Sequence, residues 1–213
     1  MTATLYRDAA LADGRGPRLR VGVSVLVTDG RIEWIRPADD EGPVDGSADV
    51  VDATGCTIVP GLVDAHSHLT GPGGAHWIAR FADPPERLVA VAEANGHLAS
   101  GAGVRWLRDV GSPVGVDPVD GRRRAVALGV RDRWRGRPEM PYVRAAGTWV
   151  MRRGTLPEVS TAEAENADEL LAAALGQLDD GADLVKLYLD GPDPDRAPWT
   201  AAEVARVTAA AHA

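Results

Sequence analysis

The sequence is poor in the residues that cross-link small or secreted proteins. Cys56 is the single cysteine among 213 residues, which excludes an internal disulfide framework and a thiolate metal cluster. A metal ion, if bound, must therefore have nitrogen and oxygen ligands. No stretch approaches the roughly eighteen apolar residues of a membrane span, and the first residues lack the apolar segment of a signal peptide. We expect a cytoplasmic protein with no membrane partner.

Positive charge is also scarce, and lysine is nearly absent. The 31 Asp and Glu outnumber the 23 Lys and Arg, and the net charge of -8 argues against binding to nucleic acid. Of the 23 basic residues, 22 are arginine, a bias that codon usage in a GC-rich genome explains. The exception is Lys186. A lysine where arginine is used everywhere else suggests that a nucleophilic primary amine is needed at that position.

Residues 1–57 are predicted to form a small β-rich module. Apolar side chains occupy every odd position from 19 to 27, which is the period-two pattern of a half-buried strand. Asp29 and Gly30 follow, and they supply a two-residue turn before the strand at 31–35. The sequence therefore predicts a β-hairpin in this module.

Residues 58–213 show the alternation of strands and helices that is typical of an α/β protein with a parallel sheet. Apolar runs indicate strands at 58–65, 104–110, 142–150 and 182–189. Helices are predicted to start at Pro85, after Asn166 and after Thr200, and the inner face of the first contains Leu88, Val91, Ala92 and Leu98. The helix after Thr200 has no stop signal, so we expect a fragment, or a chain that a second polypeptide completes.

Two histidines end the first apolar run of this second region. His66 and His68 are two positions apart, so on a strand their side chains lie on the same side, about 6.6 Å apart along the axis. The carboxyl ends of parallel strands are where α/β folds place their active sites. The pair is predicted to converge on one metal ion, with two solvated loop histidines as the alternative.

Lys186 lies in the last apolar run, where an unpaired ammonium is costly to bury. Such a lysine faces water, pairs with a carboxylate in the core, or has a chemical role. The sequence favours the chemical role and leaves the salt-bridged lysine open as the alternative.

The stretches Asp52–Gly55 and Val59–His68 resemble the opening signature of the amidohydrolase superfamily, whose members are metal-dependent hydrolases. Three further segments, 107–111, 144–147 and 183–186, resemble strands two to four of its imidazolonepropionase and Xaa-Pro dipeptidase branch. The resemblance implies that 58–213 forms the first half of a (β/α)8 TIM-type barrel and that 1–57 forms the N-terminal part of a β-sandwich module.

The same resemblance implies a metal site. His66 and His68 would bind one divalent ion, and Lys186, carboxylated by CO2 to a carbamate, would bridge two, with zinc the expected metal. The implied reaction is hydrolysis of an amide or cyclic-amide C–N bond in a small-molecule substrate by metal-activated hydroxide. The catalytic residues are unknown, because the aspartate that moves the proton and two further histidines are expected beyond residue 213.

Several points stay open in this interpretation. The remaining barrel half is needed, from the same chain or a second polypeptide, so the fragment alone is expected to be inactive, and a homo-oligomer is possible. The substrate is open. The first alternative is a non-catalytic scaffold or assembly protein on the same fold. A second is a mononuclear deaminase-like enzyme in which Lys186 is not carboxylated.

Other polar residues receive weaker predictions. Asp64 is a partner for an imidazole or a packing residue, and Asp109, with Arg108, is expected to be structural. His76 lies in a glycine-rich loop that can approach substrate. The remaining predictions are a structural role for His97, a helix-surface position for His212, and a loop at 149–157 in which Arg152 and Arg153 are solvent-exposed or meet a carboxylate.

Overall fold

The protein is described here by a computed structural model covering residues 2–44 and 46–213, which form a mixed α/β chain with two compact units, Met1–Gly61 and Leu62–Ala213. The strands are β1 (Ala3–Leu11), β2 (Arg20–Thr28), β3 (Arg31–Pro37), β4 (Asp49–Asp52), β5 (Thr57–Ile58), β6 (Leu62–Ser67), β7 (Val104–Asp109), β8 (Val114–Val116), β9 (Arg123–Ala125), β10 (Tyr142–Ala145), β11 (Trp149–Arg152), β12 (Ala162–Ala164) and β13 (Lys186–Leu187). The helices are α1 (Pro85–Gly101), α2 (Val126–Trp134), α3 (Ala167–Asp179) and α4 (Ala201–Ala211).

The first unit is a five-stranded sheet in the order β3-β2-β1-β4, with β5 also paired to β1. The predicted hairpin is confirmed, because β2 and β3 pair in antiparallel fashion across Asp29 and Gly30. Both turn residues have a positive φ, 48° and 76°, as a type I′ turn requires. Leu11, Val23 and Val25 form the buried core of this unit.

The second unit contains parallel strands in the predicted regions, with different bounds. The predicted strand at 142–150 is broken into β10 and β11, and the one predicted at 182–189 is reduced to the two residues of β13. β6 pairs with β7, and β7 pairs with β10, each in parallel. β11 follows β10 in the chain and belongs to a second three-stranded sheet in the order β12-β11-β13, in which it pairs in parallel with both neighbours. The N–H of Asp183 donates to the carbonyl of Ala145 at 2.8 Å, so the segment that leads into β13 runs beside β10. Four parallel strands therefore follow one another in chain order: β6, β7, β10 with β11, and β13.

Helices α1 and α2 cover one face of these strands, where Leu107, Val143 and Ala145 are buried. Both predicted helix starts with side-chain caps are confirmed: Asn166 accepts the N–H of Glu169, and Thr200 with Glu203 forms a reciprocal capping box. Among the described residues, no helix combines the length and the apolar character needed to cross a bilayer.

The opposite face of β6, β7 and β10, called the open face below, presents large apolar side chains to solvent. Val63, Trp106 and Tyr142 are 69%, 51% and 46% exposed, and the last two rings lie 4.4 Å apart. Side chains of this size are normally covered by a neighbouring element or a partner.

An irregularity in β6 decides which of its side chains share the open face. Asp64 is paired with Leu107 and Ser67 with Asp109, so β6 advances three residues where β7 advances two. This register shift is a β-bulge in β6. Residues in register on parallel strands face the same side, so Asp64 and Ser67 face the helix-covered side with Leu107. The histidines on either side of Ser67 therefore face the open side.

Candidate metal centre

The histidine pair lies at the carboxyl end of β6. The imidazole centroids of His66 and His68 are 5.6 Å apart, with the ring planes at 73°. His66 is exposed and His68 is half-buried. Asp64 does not bond to either ring in the described part of the chain; one of its carboxylate oxygens accepts the backbone N–H of His66 at 3.0 Å. The structure therefore brings together two of the three side chains that the sequence predicted as metal ligands.

A backbone carbonyl fixes the orientation of His68. Its Nδ1 lies 2.8 Å from the carbonyl oxygen of Gly111, which follows β7. A carbonyl oxygen can only accept a hydrogen bond, so Nδ1 carries the proton and Nε2 keeps its lone pair. This is the tautomer in which a histidine binds a metal through Nε2 while a second group holds the ring in place.

The surroundings of His68 favour its neutral form. Burial lowers the pKa of this imidazole below its usual value of 6.5, and the hydrogen bond to Gly111 opposes that effect. The positive charges of His66 and Lys186 lower the pKa of His68 further. These effects favour the unprotonated imidazole, which is the form that binds a metal.

Lys186 is linked to His68 through Trp149, and its charge acts on the pKa of that imidazole. Lys186 and Trp149 are register partners on β13 and β11, and the Trp149 ring lies 5.4 Å from the ring of His68. Within the described residues no carboxylate forms an ion pair with Lys186, so the alternative of a salt-bridged core lysine is not what the structure shows. In residues 2–44 and 46–213 the half-buried amine therefore has no carboxylate partner.

A buried arginine holds the segment that precedes Lys186. Arg131 of α2 donates to the carbonyl of Gly181 at 2.8 Å and to a carboxylate oxygen of Asp183 at 2.7 Å. The same carboxylate oxygen accepts the backbone N–H of Ala145 at 2.9 Å. The position of β13 relative to β10 is thus fixed by a charge-assisted network.

Aromatic rings cover one side of His68. Phe81 and Trp149 are both buried, with ring centroids 6.1 Å and 5.4 Å from that imidazole and 5.1 Å from each other. Trp77 lies 5.6 Å from Phe81 and is partly exposed. Phe81 and Trp149 therefore shield that side of the imidazole from solvent, and Trp77 packs behind Phe81.

The donor chemistry of these residues fits part of a divalent metal site. Two neutral imidazoles are ordinary ligands for zinc. A lysine amine becomes an oxygen ligand only when it is carboxylated, and this amine has no competing carboxylate partner among the described residues. In residues 2–44 and 46–213 there is no group of three or more His, Cys, Asp and Glu that could hold a metal, so further ligands are needed for a complete site.

Comparison with known sequences identifies the family. A sequence model described as the amidohydrolase family matches residues 49–174, which is more than half of the chain. The chain belongs to the amidohydrolase family. A dihydroorotase of Mycobacterium tuberculosis is 37% identical over 115 residues, and an imidazolonepropionase of Chromobacterium violaceum is 33% identical over 88 residues.

Solved structures share the fold of this amidohydrolase. A Xaa-Pro dipeptidase with bound methionine in its active site superposes with a TM-score of 0.76 at 21% identity and covers 99% of the chain. The chain spans 54% of that dipeptidase. The matched segments correspond to 54% of this chain and 24% of the dihydroorotase, and to 40% and 21% for the imidazolonepropionase.

The other polar residues singled out in the sequence do not join the centre. His76 is exposed in the loop after β6 with a φ of 59°, and His97 is exposed on α1. His212 is exposed at the carboxyl end of α4. Each of these histidines therefore lacks the buried, hydrogen-bonded setting that orients His68.

The prediction of a loop at 149–157 is wrong for residues 149–152, which form strand β11 between β12 and β13. Arg152 lies over the ring of Trp199, and Arg153 pairs with Glu165 at 2.6 Å. Both guanidinium groups thus have partners away from the histidine pair.

The residues that support the candidate centre were not predicted from the sequence. Gly111 and Trp149 contact His68 but carry no metal-binding group, and Phe81 comes from a short turn after β6. A usable signal was present for Gly111 only, as a glycine directly after a strand end. The two aromatic residues are found only once the strands are assembled.

Proposed function

We propose that this chain is part of a metal-dependent amidohydrolase that cleaves an amide or cyclic-amide C–N bond. The observation that carries this proposal is the pair His66 and His68, with His68 locked through Nδ1 by Gly111 at the carboxyl end of a parallel strand. Family membership supports the reaction class, since the dihydroorotase and dipeptidase relatives act on C–N bonds.

His66 and His68 are proposed to hold one divalent ion through their imidazole nitrogens, with zinc as the expected metal. When bound, divalent ions at this place lower the pKa of a coordinated water and polarise the substrate carbonyl. The role of this chain is to orient the imidazole of His68 and to favour the form in which Nε2 has a free lone pair. The hydrogen bond to the Gly111 carbonyl orients the ring, and burial of the ring favours the neutral form.

Lys186 is proposed to carry a carbamate. Its neutral amine would attack the carbon of CO2, form an N–C bond and release one proton, leaving a carboxylate at the end of a long side chain. That group could bridge a second divalent ion to the first. The lack of a carboxylate partner among the described residues supports this proposal, because a salt-bridged ammonium would not react.

The open face supports a further proposal about the whole protein. Val63, Trp106 and Tyr142 are exposed on the side of the sheet that carries the histidines. We propose that the remaining half of a TIM-type barrel, from the same chain or a second polypeptide, covers this face and supplies the missing ligands and the proton-transferring aspartate. The first unit would then be part of a β-sandwich, and this chain by itself would have little activity.

Zinc uptake tests the proposed centre. The metal-stripped chain, combined with its completing half, is titrated with Zn²⁺ in a calorimeter. The variants His66→Asn and His68→Asn are titrated in the same way, with His97→Asn on the exposed face of α1 as the matched control. We expect binding by the wild type and the control, and loss of binding in the other two. A wild-type chain that takes up neither Zn²⁺ nor Mn²⁺ when its completing half is present would contradict the metal site and support the non-catalytic scaffold.

Carboxylation of Lys186 is tested by ¹³C NMR in labelled bicarbonate. The chain has one lysine, so a carbamate signal has only the α-amine as another source. We expect a signal that disappears in Lys186→Arg. Zinc binding without such a signal would instead support the mononuclear, deaminase-like alternative.

The reaction itself is tested with the chain and its completing half together. Xaa-Pro dipeptides, N-acyl amino acids and imidazolones are supplied, and release of the amine or opening of the ring is followed. Turnover of one class that depends on His68 is the expected result, and a complex that binds zinc but hydrolyses none of them would reject these substrates.

A further inference from the structure

Asp109 is the last residue of β7, and its carboxylate is completely buried beside the candidate centre. One oxygen accepts the N–H of Leu69 at 2.7 Å, and the other accepts the N–H of Gly111 at 2.9 Å. Leu69 follows His68 in the chain, and the Gly111 carbonyl holds the ring of His68. One carboxylate therefore ties together the two backbone segments that set where this imidazole points.

Gly111 is confined from a second direction. Its φ is 128°, and a Cβ at this position would meet the indole of Trp149 at 2.6 Å. Asp109 accepts the N–H of Gly111, and the indole of Trp149 packs against the Cα of Gly111. The carbonyl of Gly111 therefore has little freedom to move. The aim of Nε2 of His68 thus depends on a short chain of contacts that runs from Asp109 through Gly111.

Asp117 shows what a buried structural carboxylate looks like in the same unit. It also accepts backbone N–H groups, from Val119 at 2.9 Å and Asp120 at 3.4 Å. In addition it receives two hydrogen bonds from Arg133, at 2.9 and 2.8 Å, which compensate its charge. Asp109 has no such cation among the described residues, and an uncompensated buried carboxylate is costly.

We propose that Asp109 is a positioning residue that aims the imidazole of His68 at the metal through Gly111 and Leu69. This inference rests on the proposed function, in which His68 is a metal ligand. It assigns to Asp109 more than the structural role that the sequence predicted.

The test compares Asp109→Asn with the matched control Asp117→Asn in the full chain. An asparagine can accept only one of the two N–H groups and turns its own NH₂ toward the other, so Gly111 or Leu69 loses its partner. ¹⁵N NMR of labelled histidine reports the tautomer of each imidazole, at a pH where all are neutral. Zinc affinity is measured by calorimetry on the same samples.

We expect Asp109→Asn to change the tautomer populations of His68 but not of His97, and to weaken zinc binding about 10- to 100-fold, as is usual when a group behind a metal ligand is lost. Asp117→Asn should lower stability and leave both readouts unchanged. Wild-type tautomers and wild-type zinc affinity in Asp109→Asn would overturn the proposal.

Two further measurements separate the possible failures. If Asp109→Asn does not fold, Asp109→Ser keeps a hydroxyl for the nearby Gly111 N–H and loses only Leu69, and an intermediate loss of affinity is expected. If the wild-type chain binds no zinc even with its completing half, the proposed function fails. The His68 tautomer in Asp109→Asn still decides the role of Asp109, because a shift supports that role and no shift rejects it.

Discussion

The two faces of the parallel strands in the second unit have opposite characters. On one face Leu107, Val143 and Ala145 are buried against α1 and α2, whereas on the open face Trp106 and Tyr142 remain about half exposed. Neighbouring residues of one strand, Trp106 and Leu107, thus belong to different environments. The covered face stabilises this unit, and the open face carries the candidate centre.

The largest expected effect is a difference in the free energy of unfolding between substitutions on the two faces. Leu107→Ala removes a buried side chain and should lower the free energy of unfolding by about 2–5 kcal/mol, whereas Trp106→Ala should change it by less than about 1 kcal/mol. Urea unfolding followed by circular dichroism measures both. Equal losses would show that the open face is packed in solution.

A smaller effect is expected at the junction between the faces. Gly111→Ala introduces a Cβ against Trp149 at a strained φ and should cost about 3 kcal/mol. The control is Gly121→Ala, because Gly121 also has a positive φ, 70°, but no atom lies within 4 Å of the added Cβ. This substitution should lower the free energy of unfolding by about 1 kcal/mol. A Gly111→Ala chain as stable as the control would mean that Trp149 moves aside easily.

The two buried carboxylates should respond to pH in opposite directions. Burial raises the pKa of Asp109 to about 7, so its contribution to stability is present below the ordinary value of 3.8 and is lost as pH rises through 7. For Asp117, burial raises the pKa, but the hydrogen bonds and charge of Arg133 outweigh this and hold it below 3.8. Its contribution is therefore present above 3.8 and lost as pH falls.

Unfolding free energies of Asp109→Asn and Asp117→Asn, measured across this pH range, check both signs. The first variant should lack the decline of the wild type toward neutral pH, and the second should lack the decline in acid. A wild-type decline that Asp109→Asn retains would assign it to another group.

The smallest effect is a shift in one titration. His68 should lose its proton below pH 6.5, because burial and the nearby positive charges disfavour the imidazolium. His68 in the unfolded chain binds a proton more readily than His68 in the folded chain. Its contribution to the free energy of unfolding is therefore present above pH 6.5 and is lost as pH falls. NMR of the ring protons measures the midpoint, and a value above 6.5 would contradict this environment.

Local signals in the sequence predicted most of the elements. The capping residues Asn166 and Thr200 and the turn at Asp29 act through bonds to their near neighbours, so they could be recognised without a tertiary structure. The spacing of His66 and His68 likewise needs only the geometry of one strand. The hairpin β8–β9 was missed, because its strands are three residues each.

Contacts between distant segments could not be predicted in this way. Leu98 was expected on the inner face of α1 but is 72% exposed, since Gly96 instead allows the ring of Trp134 to approach the helix. The irregularity in β6 and the contact of Gly111 with Trp149 also arise only when separate strands meet. The candidate ligands could therefore be proposed from the sequence, whereas the groups that orient His68 could not.

The placement of the candidate ligands on β6 and β13 has a consequence for metal choice. The order β6, β7, β10 with β11, and β13 puts two strands between the imidazoles and the amine. If the proposed centre binds metal, the spacing of these groups depends on the backbone of the intervening strands as well as on the side chains. A substitution in those strands would then be expected to change the metal preference while every candidate ligand stays in place.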